Sequence, residues 1–149
     1  MKKYFIKLYT YNQWCNQALV SRLSPISDVP DEVISRLSHI VAAEEIWYHR
    51  IKPVSFEPLP LFEIQPWEIL TPRLKESAQR WLELVDYTDH YLQLISYHTT
   101  SGTPYQTSLD DILIHVANHG SYHYGQMATL LRQAGLEPVI TDYIAFCRL

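Results

Sequence analysis

Cysteine is scarce and unpatterned: Cys15 and Cys147 stand near opposite ends of the 149 residues, with no CxxC pair and no metal-ligand spacing. That argues against a disulfide framework and against a thiolate zinc site, and leaves two free thiols as the expectation. No run of 18 apolar residues occurs, so no segment reads as a membrane-spanning helix. The start, Met1-Lys-Lys-Tyr-Phe-Ile-Lys-Leu-Tyr, is basic but lacks the long apolar stretch and small-residue cleavage site of an export signal. Positive charge is not in excess either. Twelve Lys and Arg lie scattered among 16 Asp and Glu, the net charge is −4 and the pI is near 5.9, so no basic stripe points to a phosphate backbone. These absences predict a soluble, cytoplasmic protein that binds neither nucleic acid nor membrane. The length suits a single domain, residues 1–149, able to bury a core without staples.

What is present is helical periodicity. Tyr4 to Leu23 places Phe5, Leu8, Cys15, Leu19 and Leu23 at helical intervals and contains neither Gly nor Pro. A second helix starts after Pro30, with Asp31 and Glu32 complementing its dipole, and carries Val33, Leu37, Ile40, Trp47 and Ile51 up to Pro53. Residues 53–66 hold four prolines and no helical period, which makes them a long crossover. The pattern resumes at Trp67 and predicts a third helix to about Ile95, with Leu74, Trp81, Val85 and Leu92 on its apolar side. Ser96 to Ser108 reads as a short hairpin around Ser-Gly-Thr-Pro. Ser108 then caps a fourth helix that runs to Ala134 and stops at Gly135, and a short helix follows within Asp142–Arg148. The fold class is therefore all-α: an up-down four-helix bundle with a long crossover and a hairpin before the last long helix.

The fourth helix carries His115-Val-Ala-Asn-His119-Gly-Ser-Tyr-His123. Steps of four advance only ~40° around a helix, so the imidazoles stand in a row on one face, beside Ile112, Val116, Met127 and Leu130. Buried imidazoles need partners, because an unpaired polar group in an apolar setting costs about 1–3 kcal/mol. Neutral imidazole is also the commonest ligand for zinc, nickel and iron. The outer two rings are ~12 Å apart along the axis, too far to share one ion. One helix then offers two ligands and a third must come from another helix. His39 is the best candidate, flanking the Ile40/Trp47 stripe in a position that periodicity permits without requiring it. His49, His90 and His98 have no partner at ligand spacing, and Trp14, Trp47, Trp67 and Trp81 read as packing.

Three stretches together resemble the DinB family: Tyr11-Asn-Gln-Trp14-Cys-Asn16, Leu37-Ser-His39-Ile-Val-Ala-Ala-Glu44-Glu-Ile-Trp47, and Asn118-His119-Gly-Ser-Tyr-His123-Tyr-Gly125-Gln126. The endings Gly135-Leu-Glu-Pro and Asp142-Tyr-Ile-Ala-Phe-Cys-Arg148 resemble that family too, so the likeness covers essentially the whole chain. It implies a helical bundle, often a homodimer, with a divalent metal held by three histidines, which fall here on His39, His119 and His123. His115 matches a frequent family histidine but lies a turn too far along, and is given an orienting or packing role. Many relatives have His-Arg-Gly-Gln where this chain has His123-Tyr124-Gly125-Gln126, which puts in doubt any part that arginine plays in anion binding.

Three nitrogen ligands leave a divalent ion an open position for water or substrate, the arrangement of catalytic sites. Hydrolysis and transfer to a low-molecular-weight thiol are both open to such an ion. Glu44 falls on the apolar stripe and is read as orienting a ligand histidine or as a general base; Asn118, Tyr122 and Gln126 are candidates for lining the site. The expectation is a metal-dependent hydrolase or thiol transferase acting on a small molecule. The alternatives are a metal that only staples two helices, and a metal-free dimeric interaction module.

Overall fold

The structure, a computed structural model, describes every residue from Met1 to Leu149. It is largely helical with one small sheet: α1 (Lys2–Leu23), α2 (Asp31–Ile51), α3 (Trp67–Tyr87), β1 (Leu94–His98), β2 (Pro104–Ser108), α4 (Leu109–Gln133) and α5 (Tyr143–Phe146). No helix is long and apolar enough to cross a membrane. Both cysteines are free, Cys15 buried and Cys147 exposed.

The helix ends follow local chemistry. α4 stops because Gly135 takes φ +74, a conformation open to glycine, which lets Leu136 N–H reach the Leu131 carbonyl at 2.9 Å and Gly135 N–H reach Arg132 at 3.0 Å. At its start, Ser108 holds the N-cap position, yet its hydroxyl donates to the Asp111 carboxylate at 2.8 Å and not its acceptor oxygen to the backbone. The free donors of the first turn go instead to the loop before the hairpin: Leu109 N–H to Gln93 and Asp110 N–H to Tyr91, both 2.9 Å. That loop exists because α3 ends at Tyr87, eight residues before the expected Ile95. Tyr91 turns back, donates its hydroxyl to the Val85 carbonyl at 2.6 Å and stacks on Phe5 with ring centroids 5.2 Å apart. Leu92, expected on the apolar stripe of α3, is consequently exposed. The hairpin begins at Leu94, pairs antiparallel from Leu94↔Ser108 to His98↔Pro104, and turns through Gly102 at φ +86.

Side-chain pairs fix the helix directions. Tyr9 meets Trp81 while Lys2 meets Asp86, so α1 and α3 run antiparallel. Glu45 meets Arg73 while Tyr48 meets Trp81, so α2 and α3 run the same way. His39 meets His123 while Trp47 meets His115, so α2 and α4 are antiparallel. The order of directions is thus up, down, down, up, and the crossover returns the chain to the end where α2 began, which corrects a simple alternation. Two apolar clusters fill the interior, one around Leu19, Leu37, Ile40 and Met127 and one around Phe5, Trp81, Ile112 and Leu113.

The crossover is pinned to α2 at three points. Gln65 N–H donates to Ser38 Oγ at 3.0 Å, His39 Nδ1 bonds the Leu61 carbonyl at 3.0 Å, and Leu59 N–H donates to the buried Glu45 carboxylate at 2.9 Å. The second Glu45 oxygen accepts from Arg73 at 3.0 Å. Glu45→Ala would strand the Leu59 N–H and the arginine, and should destabilise the protein by about 2 kcal/mol in urea denaturation. Limited proteolysis of the same variant should cut first within residues 52–66; an unchanged cleavage pattern would show that the carboxylate does not hold the crossover.

Candidate metal centre

His39 reaches the α2/α4 interface because its neighbours Ile40 and Leu37 are drawn into the core, which turns the intervening face toward α4. His119 and His123 face it from successive turns of the antiparallel helix. His119 Nε2 lies 3.1 Å from His39 Nε2 and 3.1 Å from His123 Nε2. One ligand atom from each of the three residues falls within 4.8 Å of the others. His123 is buried, and the other two are half-buried.

The outer nitrogens determine what the inner ones can do. His39 Nδ1–H donates to the Leu61 carbonyl at 3.0 Å, and His123 Nδ1–H donates to Gln126 Oε1 at 2.8 Å. With the proton on Nδ1, each presents a lone pair at Nε2. His119 Nε2 faces both lone pairs, and a single proton on it cannot serve the two contacts well. Three lone pairs converging on one cation resolve the conflict. Nitrogens ~2.0–2.1 Å from a tetrahedral zinc are about 3.3 Å apart, close to the two spacings that His119 makes. An outer N–H bonded to a carbonyl or amide oxygen is also the usual way a metal-bound imidazole is oriented.

The electrostatics favour the neutral ligands. Burial, then the charges that His123, His39 and His115 would carry, holds the His119 pKa down to about 4. His123 is lowered by burial and by His39 and Arg36, against the opposing hydrogen bond from Gln126. Both rings are therefore neutral near neutral pH, and each keeps one nitrogen lone pair to offer.

The other expected site residues divide. Gln126 orients His123, as above. Tyr122 stands exposed at the rim with its ring edge against His123, centroids 5.3 Å apart. His115 sits a turn from the cluster, with its ring 6.1 Å from that of His119 and edge-on to Trp47 at 5.2 Å. Its outer edge is solvent-facing, so the row does not lie among apolar side chains throughout, as the wheel suggested. Asn118 is exposed and makes no hydrogen bond. Glu44 is not an orienting carboxylate: it points into the helical interior, accepts from Ser77 Oγ at 2.6 Å, and no hydrogen bond joins it to a histidine. Tyr124 is interior too, donating to Asn16 Oδ1 at 2.8 Å. The crossover contributions of Leu61 and of Phe62, whose exposed ring stacks on His39 at 5.6 Å, carried no sequence signal. A cavity of about 720 Å³ between α1 and α3 is lined by polar side chains such as Gln13, Gln17 and Lys75 and contains none of the histidines.

Comparison with known proteins places this arrangement. The DinB family matches residues 1–149. The chain belongs to the DinB family. It is 29% identical to protein DinB of Bacillus subtilis (strain 168), in an alignment covering 96% of this chain and 93% of that protein.

Burial without a cation pushes the Glu44 pKa from 4.5 up to about 7, only partly offset by Ser77 and Asn16. A carboxyl raised in the folded state binds more protons there than in the unfolded chain, so stability falls as pH rises from about 4.5 through 7. His119, lowered in the folded state, acts in the opposite sense between about 6.5 and 4. The comparison of wild type with Glu44→Gln isolates the first effect: the variant should gain about 2–3 kcal/mol relative to wild type on going from pH 5 to pH 8 in urea denaturation. A constant difference across that range would mean that Glu44 is ionised in the fold throughout.

Proposed function

We propose that His39, His119 and His123 together hold one divalent cation, zinc, nickel or iron, and that the protein is a metal-dependent enzyme acting on a small molecule. The observation that carries the reading is the convergence of Nε2 atoms whose tautomers are set by Leu61 and Gln126. In this reading the four long helices act as a bundle that aims α2 and α4 at one point. A divalent ion with three nitrogen ligands keeps a position open and lowers the pKa of a water or thiol bound there. The rim residues Phe62 and Tyr122 are largely exposed, which leaves that position accessible and favours turnover over a closed staple.

Between hydrolysis and thiol transfer, the surroundings favour the second. Hydrolysis gains most from a general base beside the ion, and the nearest carboxylates of α2 are committed elsewhere, Glu44 to Ser77 and Glu45 to Leu59 and Arg73. Thiol activation asks of the protein only that it orient the ligands, keep them neutral and admit the sulfur.

Protein purified without a histidine tag should carry near-stoichiometric metal by plasma mass spectrometry, and His39→Ala and His123→Ala should each lose it. Gln126→Ala should weaken retention roughly 10–100-fold against a chelator, as expected for loss of an orienting bond. Because protons compete with the metal for all three imidazoles, retention should fall on acidification. Metal-free wild type that also fails to take up zinc, nickel or iron would sink the reading.

A further inference from the structure

The face of α2 that meets α4 carries more than His39. Arg36, His39, Ala43, Trp47 and Arg50 fall within one stripe, opposite His123, His119 and His115 on the antiparallel helix. Both arginines stand without an acidic partner. The ion pairs of the molecule are Lys2–Asp86, Arg73–Glu45 and Arg80–Glu76, and neither Arg36 nor Arg50 donates a hydrogen bond. Arg36 lies close enough to His123 to depress its pKa, but its Nε is sealed from solvent and unpaired.

Arg50 is held differently. Its guanidinium carbon lies 4.4 Å from the centre of the Trp47 ring and 5.1 Å from that of Tyr97. The rings take the flat faces, and the hydrogen-bonding edge keeps all its donors free. Trp47 in turn touches His115, and His115 neighbours His119. A continuous aromatic wall therefore leads from the three histidines to an oriented, unpaired guanidinium. In a protein of net charge −4, this interface gathers two cations that have no acidic partner. Such a fork matches a carboxylate or phosphate, and the local field draws anions in.

We propose that Arg50 anchors an oxyanion, carboxylate or phosphate, at the far end of a substrate whose reacting end lies at the three histidines. The substrate is then an elongated anionic small molecule with an apolar or aromatic middle lying along Trp47. Arg50 is a positioning residue, and the assignment of the reacting end rests on the metal-site reading above.

The test uses the full chain loaded with cobalt(II) and a series of ω-mercaptoalkanoates of roughly four to twelve carbons, each paired with its neutral amide. Binding at the metal is read from the thiolate-to-cobalt absorption band. Beyond a threshold length the carboxylate should bind at least tenfold tighter than the amide, and in Arg50→Gln that preference should disappear while amide affinity is kept and thermal stability falls only slightly with the lost ring contacts. Arg50→Lys, which keeps the charge but not the fork, should retain part of it. Chains ending in phosphate tell which oxyanion is preferred. Calorimetry of the carboxylates on metal-free protein separates the two readings: no cobalt band with Arg50-dependent carboxylate binding overturns the metal site and supports the anchor. Equal affinity for carboxylate and amide in wild type, a preference that survives in Arg50→Gln, or no carboxylate binding in either arm overturns the anchor.

Discussion

The buried carboxylate of Glu45 is the constraint on which the site depends. A charge with a side-chain exposure of 1% is tolerable only because its two oxygens are fully used, one by the Leu59 N–H and one by Arg73. Those two partners belong to the crossover and to α3, so one side chain of α2 ties three segments together. Two residues beyond Leu59 is Leu61, whose carbonyl fixes the tautomer of His39. The proline-rich crossover, with a fixed φ at Pro53, Pro58, Pro60 and Pro66, has little conformational freedom left to lose once it is pinned. It works as an outer support for the histidine cluster, and not merely as a connection.

A second polar set lies between the two apolar clusters. Glu44, Ser77, Asn16 and Tyr124 bond one another across α2, α3, α1 and α4, while the Asn12 amide, 4% exposed, has no partner for either atom. Position 124 belongs to this set. Tyr124 lies inside, close enough to Glu44 for that carboxylate to raise its pKa, and its hydroxyl would meet a methyl placed at Gly120 at 3.2 Å. With tyrosine there, the carboxylate lacks a cation, and its pKa climbs toward neutrality.

How much of this was legible follows the physics of each signal. Helical periodicity located α1, α2 and α4 because apolar faces repeat within one segment. It overran α3, because Leu92 continues the spacing while Tyr91 breaks the helix through a bond to Val85 that periodicity does not register. The i, i+4 histidines gave two members of the cluster, and His115 lies a turn away from it, its ring 6.1 Å from that of His119. The burial of Glu44 was readable from its place on the apolar stripe, but its partners on α1 and α3 were not. Ser38, Glu45 and Leu61 carried no signal at all, since their roles depend on where a segment without any period lies across α2.

The directions of the helices explain how the candidate site is laid out. Because α2 runs against α4, residues that climb along one descend along the other, so the sequence order Arg36, His39, Trp47, Arg50 is matched by His123, His119, His115. Charge and aromatic surface are therefore strung along the interface and not gathered at one point. A parallel pair would have set His39 and Arg50 beside the same ends of α4 in the reverse order and separated Trp47 from His115. The return of the chain through the crossover also leaves this interface on the outside, with Phe62 and Tyr122 at its rim and the apolar clusters behind it. An interior site between the same helices would have had to bury a divalent charge and displace Ile40 or Met127, at a cost of several kcal/mol in desolvation and lost packing. Placing the histidines at the edge of the core keeps their backs dry and their open side wet.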